Sequence, residues 1–295
     1  MSESTPSTKT LDHIMHLTPP GSVDEVSQQF RDLGFHVLPG GTHAGGLTQN
    51  ALVVLQDGAY LELVSFTHPA SHYPPGSPER QERDAIPWVW KEPGWIGYTF
   101  LGSSSTSESI SKLINARAEN DKSGIRYDPE FDSGRECSDG QVLKWQISAP
   151  SQDSDGRGVG VAPFFCGDVT PREWRVPLNP PSNAEHPSGV LGVAYVRILV
   201  GDDDLSDVTA DITSVIGTSP VSHTSQRVTW VLDTPSTDVA GGKPRLIISV
   251  PETEGERWTL EERGEGIYEV AFLVSSGMKA GQSWTPYGKI VWLKE

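Results

Sequence analysis

Two ionisable side chains stand out on strands with apolar surroundings: His13 among Leu11, Ile14, Met15 and Leu17, and Glu62 in the largely apolar run Tyr60 to Phe66. A carboxylate in such a strand is costly to bury unless it meets a metal or a hydrogen-bonding partner. His13 reads either as a contact to a ligand or as a satisfied core histidine. His16 falls on the opposite face by the two-residue alternation of a strand, which makes it structural. His43 and Asn50 belong to the glycine-rich segment Gly40 to Asn50, whose turns could line the mouth of a cleft, with Asn50 as a candidate substrate contact. A turn held by Asn side-chain hydrogen bonds fits that segment as well. Arg172 and Arg175 could grip a substrate carboxylate through their planar forks, with pairing to Asp168 or Glu173 as the competing reading. Cys166 follows Pro163 and two phenylalanines, so it is expected to serve as a small core hydrophobe and not as a nucleophile.

The elements that must position these residues repeat along the chain. Residues 11–17 read as a strand, and Ser22 to Glu25 as a Ser-x-x-Glu capping box opening a helix whose apolar positions are Val23, Val26, Phe30 and Leu33. Gly34 ends that helix, and strands are expected over 35–39, 51–56 and 60–66, with Asp57-Gly58 turning the last hairpin. This order, βαβββ, recurs from Trp95, with Ser107 as helix cap and strands near 127–132, 142–148 and 161–166. It recurs again from Gly192, where Leu205, Val208, Ile212 and Val215 repeat the helical spacing of the first copy. A fourth opening strand, 266–275, lacks a following helix, so the pattern predicts three modules and a degenerate fourth. Linkers are expected at 67–92, 151–158 and 177–188, with the last as the boundary between a domain over 11–176 and another over 189–295. Most of the tryptophans, among them Trp88, Trp90 and Trp95, are expected to pack at module junctions.

The chain has 295 residues and a formal net charge of −16, with no Lys/Arg cluster, which argues against a nucleic-acid partner. Any acidic ligand would have to be met by a locally placed arginine, because the long-range field repels it. Neither an apolar span long enough for a membrane nor a secretory signal is visible, and the two cysteines, Cys137 and Cys166, read as free thiols, so a cytoplasmic location is expected. No nucleophile elbow, phosphate-binding loop, dinucleotide fingerprint or His-Glu-x-x-His motif is present.

Four strings together, LDHIMHLTPPG, GGTHAGGLTQNALVVLQDGAYLELVSF, APFFCGDVTPREWRVP and HPSGVLGVAYVRILV, resemble fungal glyoxalase-like domain proteins of the vicinal oxygen chelate superfamily over roughly residues 11–275. The resemblance implies an α+β fold of paired βαβββ modules whose curled sheets form a U-shaped cleft. It also implies a divalent metal held by His and Glu; the first ligand maps onto His13 and a later one onto Glu62. Such donors suit Zn, Fe, Mn or Ni and leave positions open for substrate. The counterparts in the later modules are read as Gly97, Tyr195 and Glu269 on opening strands, and as Gly167 and the Ile248–Ser249 pair on last strands. Tyr195 and Glu269 are therefore the candidates to complete the metal site. The implied reaction is of lyase, isomerase or dioxygenase type, with Glu62 and His43 as the catalytic groups. A metal-free protein that binds or sequesters a small molecule in the same cleft is the alternative. A small-molecule substrate is the expected partner, with a homodimer as one option.

Overall fold

In a computed structural model of the chain, residues 6–103, 109–137, 140–151, 158–236, 242–285 and 287–295 are described. The first strand, β1 (Leu11–Thr18), is buried along its whole length, its polar Asp12, His13, His16 and Thr18 included, so each of these side chains needs a partner in the interior. Helix α1 (Val23–Asp32) buries Val23, Val26 and Phe30. The capping box expected at Ser22 does not form, because the Ser22 hydroxyl donates instead to the Pro19 carbonyl at 2.7 Å. Gly34 then turns the chain with φ +89°, where a Cβ would collide with Ser188.

The next strands are β2 (Leu38–His43), β3 (Thr48–Val54) and β4 (Tyr60–Phe66). The expected linker after them contains a short helix, α2 (Pro78–Asp84), whose cap Ser77 accepts from the Arg80 N–H at 3.2 Å. The second module comprises β5 (Gly94–Leu101), α3 (Ile110–Asp121), β6 (Phe131–Cys137), β7 (Val142–Ser148) and β8 (Phe164–Asp168), followed by the single turn α4 (Arg172–Arg175). Ser109 caps α3; the expected cap Ser107 lies outside the described residues, as does most of the loop 151–158.

The remainder holds β9 (Val190–Leu199), α5 (Leu205–Ile216), β10 (Ser222–His223), β11 (Arg227–Val231), β12 (Arg245–Ser249), α6 (Glu254–Arg263), β13 (Gly266–Val274), β14 (Gly281–Trp284) and β15 (Lys289–Lys294). Helix α6 is absent from the sequence-based expectation. Thr253 and Glu256 form a reciprocal capping box at its start.

The strands form two sheets. The first is a closed barrel in the order β1-β4-β3-β2-β6-β7-β8-β5, and the second an open seven-stranded sheet in the order β10-β11-β12-β9-β13-β15-β14. The pairing scheme is the same in both: each opening strand lies parallel to the last strand of its own module, and two opening strands meet antiparallel at the centre. Module one therefore pairs with module two, and module three with the fourth set of strands. The barrel differs from a U-shaped cleft in one respect: β2 and β6 join through His43↔Arg135, Thr42↔Glu136 and Gly41↔Cys137 and close the far side.

The two sheets share one core. Phe35 packs on Phe272 and Trp292 with ring centroids 5.4 and 5.5 Å apart. At the β3–β4 hairpin, the Asp57 carboxylate accepts from the Val193 N–H at 2.9 Å, and burial pushes Asp57 up to about 6. Among the described residues no helix is long and apolar enough to cross a membrane.

Candidate functional site

The barrel encloses a cavity of about 250 Å³ whose lining includes His13, His43, Asn50, Glu62 and Arg135, with Trp88, Trp145 and Phe164 as aromatic walls. Four of these five polar residues were expected at a site; Arg135 was not. His13 sits on β1 and Glu62 on β4, two strands in direct parallel register, with Met15 opposite Glu62. His43 ends β2 and Asn50 lies on β3. The close approach of these two strands needs a glycine, since a Cβ at Gly40 would overlap Asn50 Oδ1. Trp88 reaches the cavity from the segment after α2 and packs on Phe66, whereas Trp95 is buried against Phe30 and Trp90 is exposed.

Glu62 is 7% exposed. Its Oε1 accepts from Asn50 Nδ2 at 2.6 Å and lies 3.4 Å from His43 Nε2, while Oε2 lies 3.7 Å from His13 Nε2. Burial alone would raise this acid, but the hydrogen bond and charge of His43, with His13 and Asn50, hold it down at about 2. His43 is fixed from behind by Thr48, with Nδ1 and Oγ1 2.8 Å apart.

His13 stacks on Tyr60 at 4.7 Å and sits between two partners. Its Nδ1–H donates to Asp12 Oδ2 at 2.8 Å, and in the neutral ring Nε2 accepts from the Thr99 hydroxyl at 3.0 Å. Asp12 is completely buried. Burial works against its charge, but Arg175, Arg172 and His13 hold it well below the usual carboxylate range. Arg175 also bonds Asp168 at 2.6 Å and the Tyr60 hydroxyl at 2.8 Å. Arg172, a sequence candidate for substrate binding, is taken up by Asp12, Asp168 and the Gly58 carbonyl and is not among the residues lining the cavity. His16 lies on the other face of β1, wedged against Phe30 and Trp95, with Nε2 3.0 Å from the Thr285 hydroxyl.

Tyr195 and Glu269 stand on the second sheet, where the Tyr195 hydroxyl donates to Glu269 Oε1 at 2.9 Å. Neither lines the barrel cavity. The strand register also relocates the counterparts expected in module two. Gly97 lies opposite Met15, and Gly167 pairs with Gln146. His13 faces Thr99 across the barrel's central pair; Tyr60 beside His13 corresponds to Phe164 beside Thr99, and two residues on Glu62 corresponds to Cys166. Two of the four family ligand positions thus carry a hydroxyl and a thiol. In the neutral ring, the Nε2 lone pair of His13 that a metal would take is the one the Thr99 hydroxyl occupies. Burial pushes the Cys166 thiol far up and keeps it protonated. Among the described residues, no three His, Cys, Asp or Glu side chains are grouped to hold an ion. The residues present therefore do not fit a four-ligand metal site.

Arg135 was missed because the strand carrying it was expected to end near Asp132, which left the arginine in a loop. The strand is too polar for alternation to reveal it, with Asp132, Ser133 and Glu136 in seven residues.

The glyoxalase-like domain family matches residues 11–215 of the chain. No curated protein matches the sequence. Among solved structures, a hypothetical protein from Staphylococcus aureus superposes with a TM-score of 0.68 at 11% identity, over 97% of this chain and 99% of that chain. A mutant of 4-hydroxymandelate synthase from Streptomyces coelicolor superposes with a TM-score of 0.51 at 10% identity, over 92% and 72%. At these identities the likeness is one of fold. The family match over most of the chain, together with module pairing around a central cavity, shows that the chain belongs to the glyoxalase-like domain family, within the vicinal oxygen chelate superfamily.

Proposed function

We propose that the barrel cavity binds a small organic molecule carrying a carbonyl, and that the Glu62–His43 pair moves a proton on the carbon beside it, which is lyase- or isomerase-type chemistry. The observation that carries this reading is a buried, ionised carboxylate with an imidazole near each of its oxygens, facing an otherwise largely apolar cavity. Glu62 Oε2, the oxygen not bonded to Asn50, takes the proton; the C–H electron pair moves into the carbonyl and forms an enolate. His43, with Nε2 3.4 Å from the other oxygen of Glu62, stands where it can take the proton on from the carboxyl. Asp12 sets the tautomer and tilt of His13, which closes the cavity wall beside Glu62.

A metal-dependent form of the same reaction, or oxygen-dependent cleavage, would have to use His13 and Glu62 with Zn, Fe, Mn or Ni. The Thr99 and Cys166 substitutions weigh against it, and they favour as second reading a metal-free binding protein that uses the same cavity. A small-molecule partner, with action in the cytoplasm, is consistent with either reading.

The test begins with the elemental metal content of protein purified without a metal-binding tag, before and after chelator. Solvent-deuterium incorporation into small carbonyl compounds follows, with wild type and Glu62→Gln side by side. Metal-independent incorporation that Glu62→Gln abolishes supports the proposal. Incorporation that needs near-stoichiometric Zn, Fe, Mn or Ni would sink it in favour of the metal enzyme, and ligand binding without incorporation would leave the binding reading.

A further inference from the structure

Arg135 is 4% exposed and lines the cavity beside His43, its register partner across the β2–β6 seam. Its Nη1 donates to Asn50 Oδ1 at 2.9 Å, and its Nε has no hydrogen-bond partner among the described residues. Among the described residues no carboxylate stands within 4 Å of its guanidinium, whereas Arg172 and Arg175 are each paired with both Asp12 and Asp168. A guanidinium cannot shed its proton, so a buried cation without a counter-charge is a costly arrangement that a structural role does not require. Asn50 explains how it persists: its carbonyl accepts from Arg135 while its amide donates to Glu62. One side-chain amide therefore holds a cation and an anion apart on the same cavity wall.

We infer that Arg135 is an anion anchor and that the ligand class is a small organic acid, its carboxylate docked on Arg135 and the neighbouring carbonyl-bearing carbons held before Glu62. This rests on the cavity being the site of the chemistry proposed above. The planar fork of arginine matches a carboxylate bidentately, and its placement answers the repulsion that a chain of net charge −16 exerts on any acid. The arrangement also separates binding from chemistry: Arg135 holds the charge that the ligand keeps throughout, and Glu62 takes the proton that it gives up.

Titration calorimetry of the full chain with pyruvate, its neutral amide pyruvamide and inorganic phosphate tests the assignment, with deuterium incorporation at the methyl group followed in parallel by NMR. Pyruvate is expected to bind at least about tenfold more tightly than pyruvamide. Arg135→Gln should remove that preference and leave pyruvamide binding unchanged, and Arg135→Lys should restore part of it. Glu62→Gln should bind pyruvate at least as well as wild type while losing deuterium incorporation. Arg135→Gln should also melt no lower than wild type, because it removes a charge that no described carboxylate pairs; a structural arginine would show a lowered melting temperature. Equal affinity for pyruvate and pyruvamide, no pyruvate binding to wild type, phosphate bound in its place, or an unchanged preference in Arg135→Gln would each overturn the anchor. Pyruvate binding through Arg135 without deuterium incorporation would leave the anchor standing and remove the proton-transfer reading. Incorporation into both compounds alike would do the reverse.

Discussion

In the barrel, the central strands β1 and β5 bring His13 opposite Thr99; in the second sheet, the equivalent strands β9 and β13 bring Arg197 opposite Glu269. Both places are polar and both are buried. The second is closed on itself: Arg197 bonds Glu256 at 2.7 Å, reaches Glu269 at 3.8 Å and donates to Ser249 at 2.9 Å, while Glu269 also pairs with Lys289 and accepts from Tyr195. Helix α6 supplies Glu256 from its capped first turn, so the helix and the ion pairs occupy the place that the barrel keeps as a cavity. One Arg197 nitrogen, Nη2, lacks a partner among the described residues, but two carboxylates neutralise the group. In the barrel, Asn50 keeps Arg135 and Glu62 apart, and space remains between the walls. The same pairing plan thus yields a structural network where charges meet, and a site where they are held from meeting.

The sharpest way to break this comparison is to remove one carboxylate from each half. Glu62→Gln is expected to lower proton transfer by about 10²–10⁴-fold without unfolding the chain, whereas Glu269→Gln should leave the rate unchanged. Deuterium incorporation and circular dichroism on both variants check this, and equal losses of rate would erase the distinction. For stability the order reverses. Arg197→Met leaves Glu256 and Glu269 buried without their guanidinium and is expected to cost about 3–5 kcal/mol in a urea titration, with ligand affinity in the barrel unaffected.

A smaller effect tests the junction between the halves. Burial holds His16 down to about 3 and His186 to about 4, so both stay neutral in the fold where the unfolded chain takes up protons. Their contribution to stability is present above pH 6.5 and is lost as the pH falls below it. Asp57, raised to about 6, acts in the opposite sense: the stability it lends is present at low pH and is lost as the pH rises through 6. With two histidines against one aspartate, the combined contribution of these three groups should fall by about 1.4 kcal/mol per pH unit between pH 6 and 5, above the range in which Glu62 and Asp12, both held down in the fold, add to the loss. His16→Gln should flatten that slope, and Asp57→Asn should steepen it. Urea midpoints across this range decide the matter; a flat profile in wild type would mean that these groups do not stay buried in solution. The smallest effect is expected from Thr253→Ala, about 1 kcal/mol from losing the cap of α6. Any accompanying change in the barrel's ligand affinity would show that the two interiors are coupled.

The apolar elements were legible in the sequence. Strands β1 and β4 and helices α1 and α5 follow from runs and spacings that only burial explains. Elements built from polar residues were not. Helix α6, whose Trp258 is exposed, has no apolar stripe, and its one signal is Thr253 followed by Glu256. The equivalent Ser-x-x-Glu spelling at Ser22 does not form a box, because the Pro19 carbonyl competes for the hydroxyl. Short motifs offer hydrogen bonds, and the surrounding chain decides whether they are made. In the cavity, His13, His43, Asn50 and Glu62 could be picked out as polar residues in apolar or glycine-rich surroundings. Arg135 could not, since its importance comes from a strand pairing between residues far apart in sequence. Thr99 and Cys166 likewise became visible as counterparts of His13 and Glu62 only through strand register.

The β2–β6 seam joins the two modules through three residue pairs, and His43↔Arg135 is one of them. An acid lying between Arg135 and Glu62 would bridge two modules that these few backbone pairings otherwise hold together at that side. Occupancy should therefore slow amide hydrogen exchange in β2 and β6 more than in β1 and β5, whose pairing runs the length of the strands. The barrel would act as a clasp that its own cargo fastens.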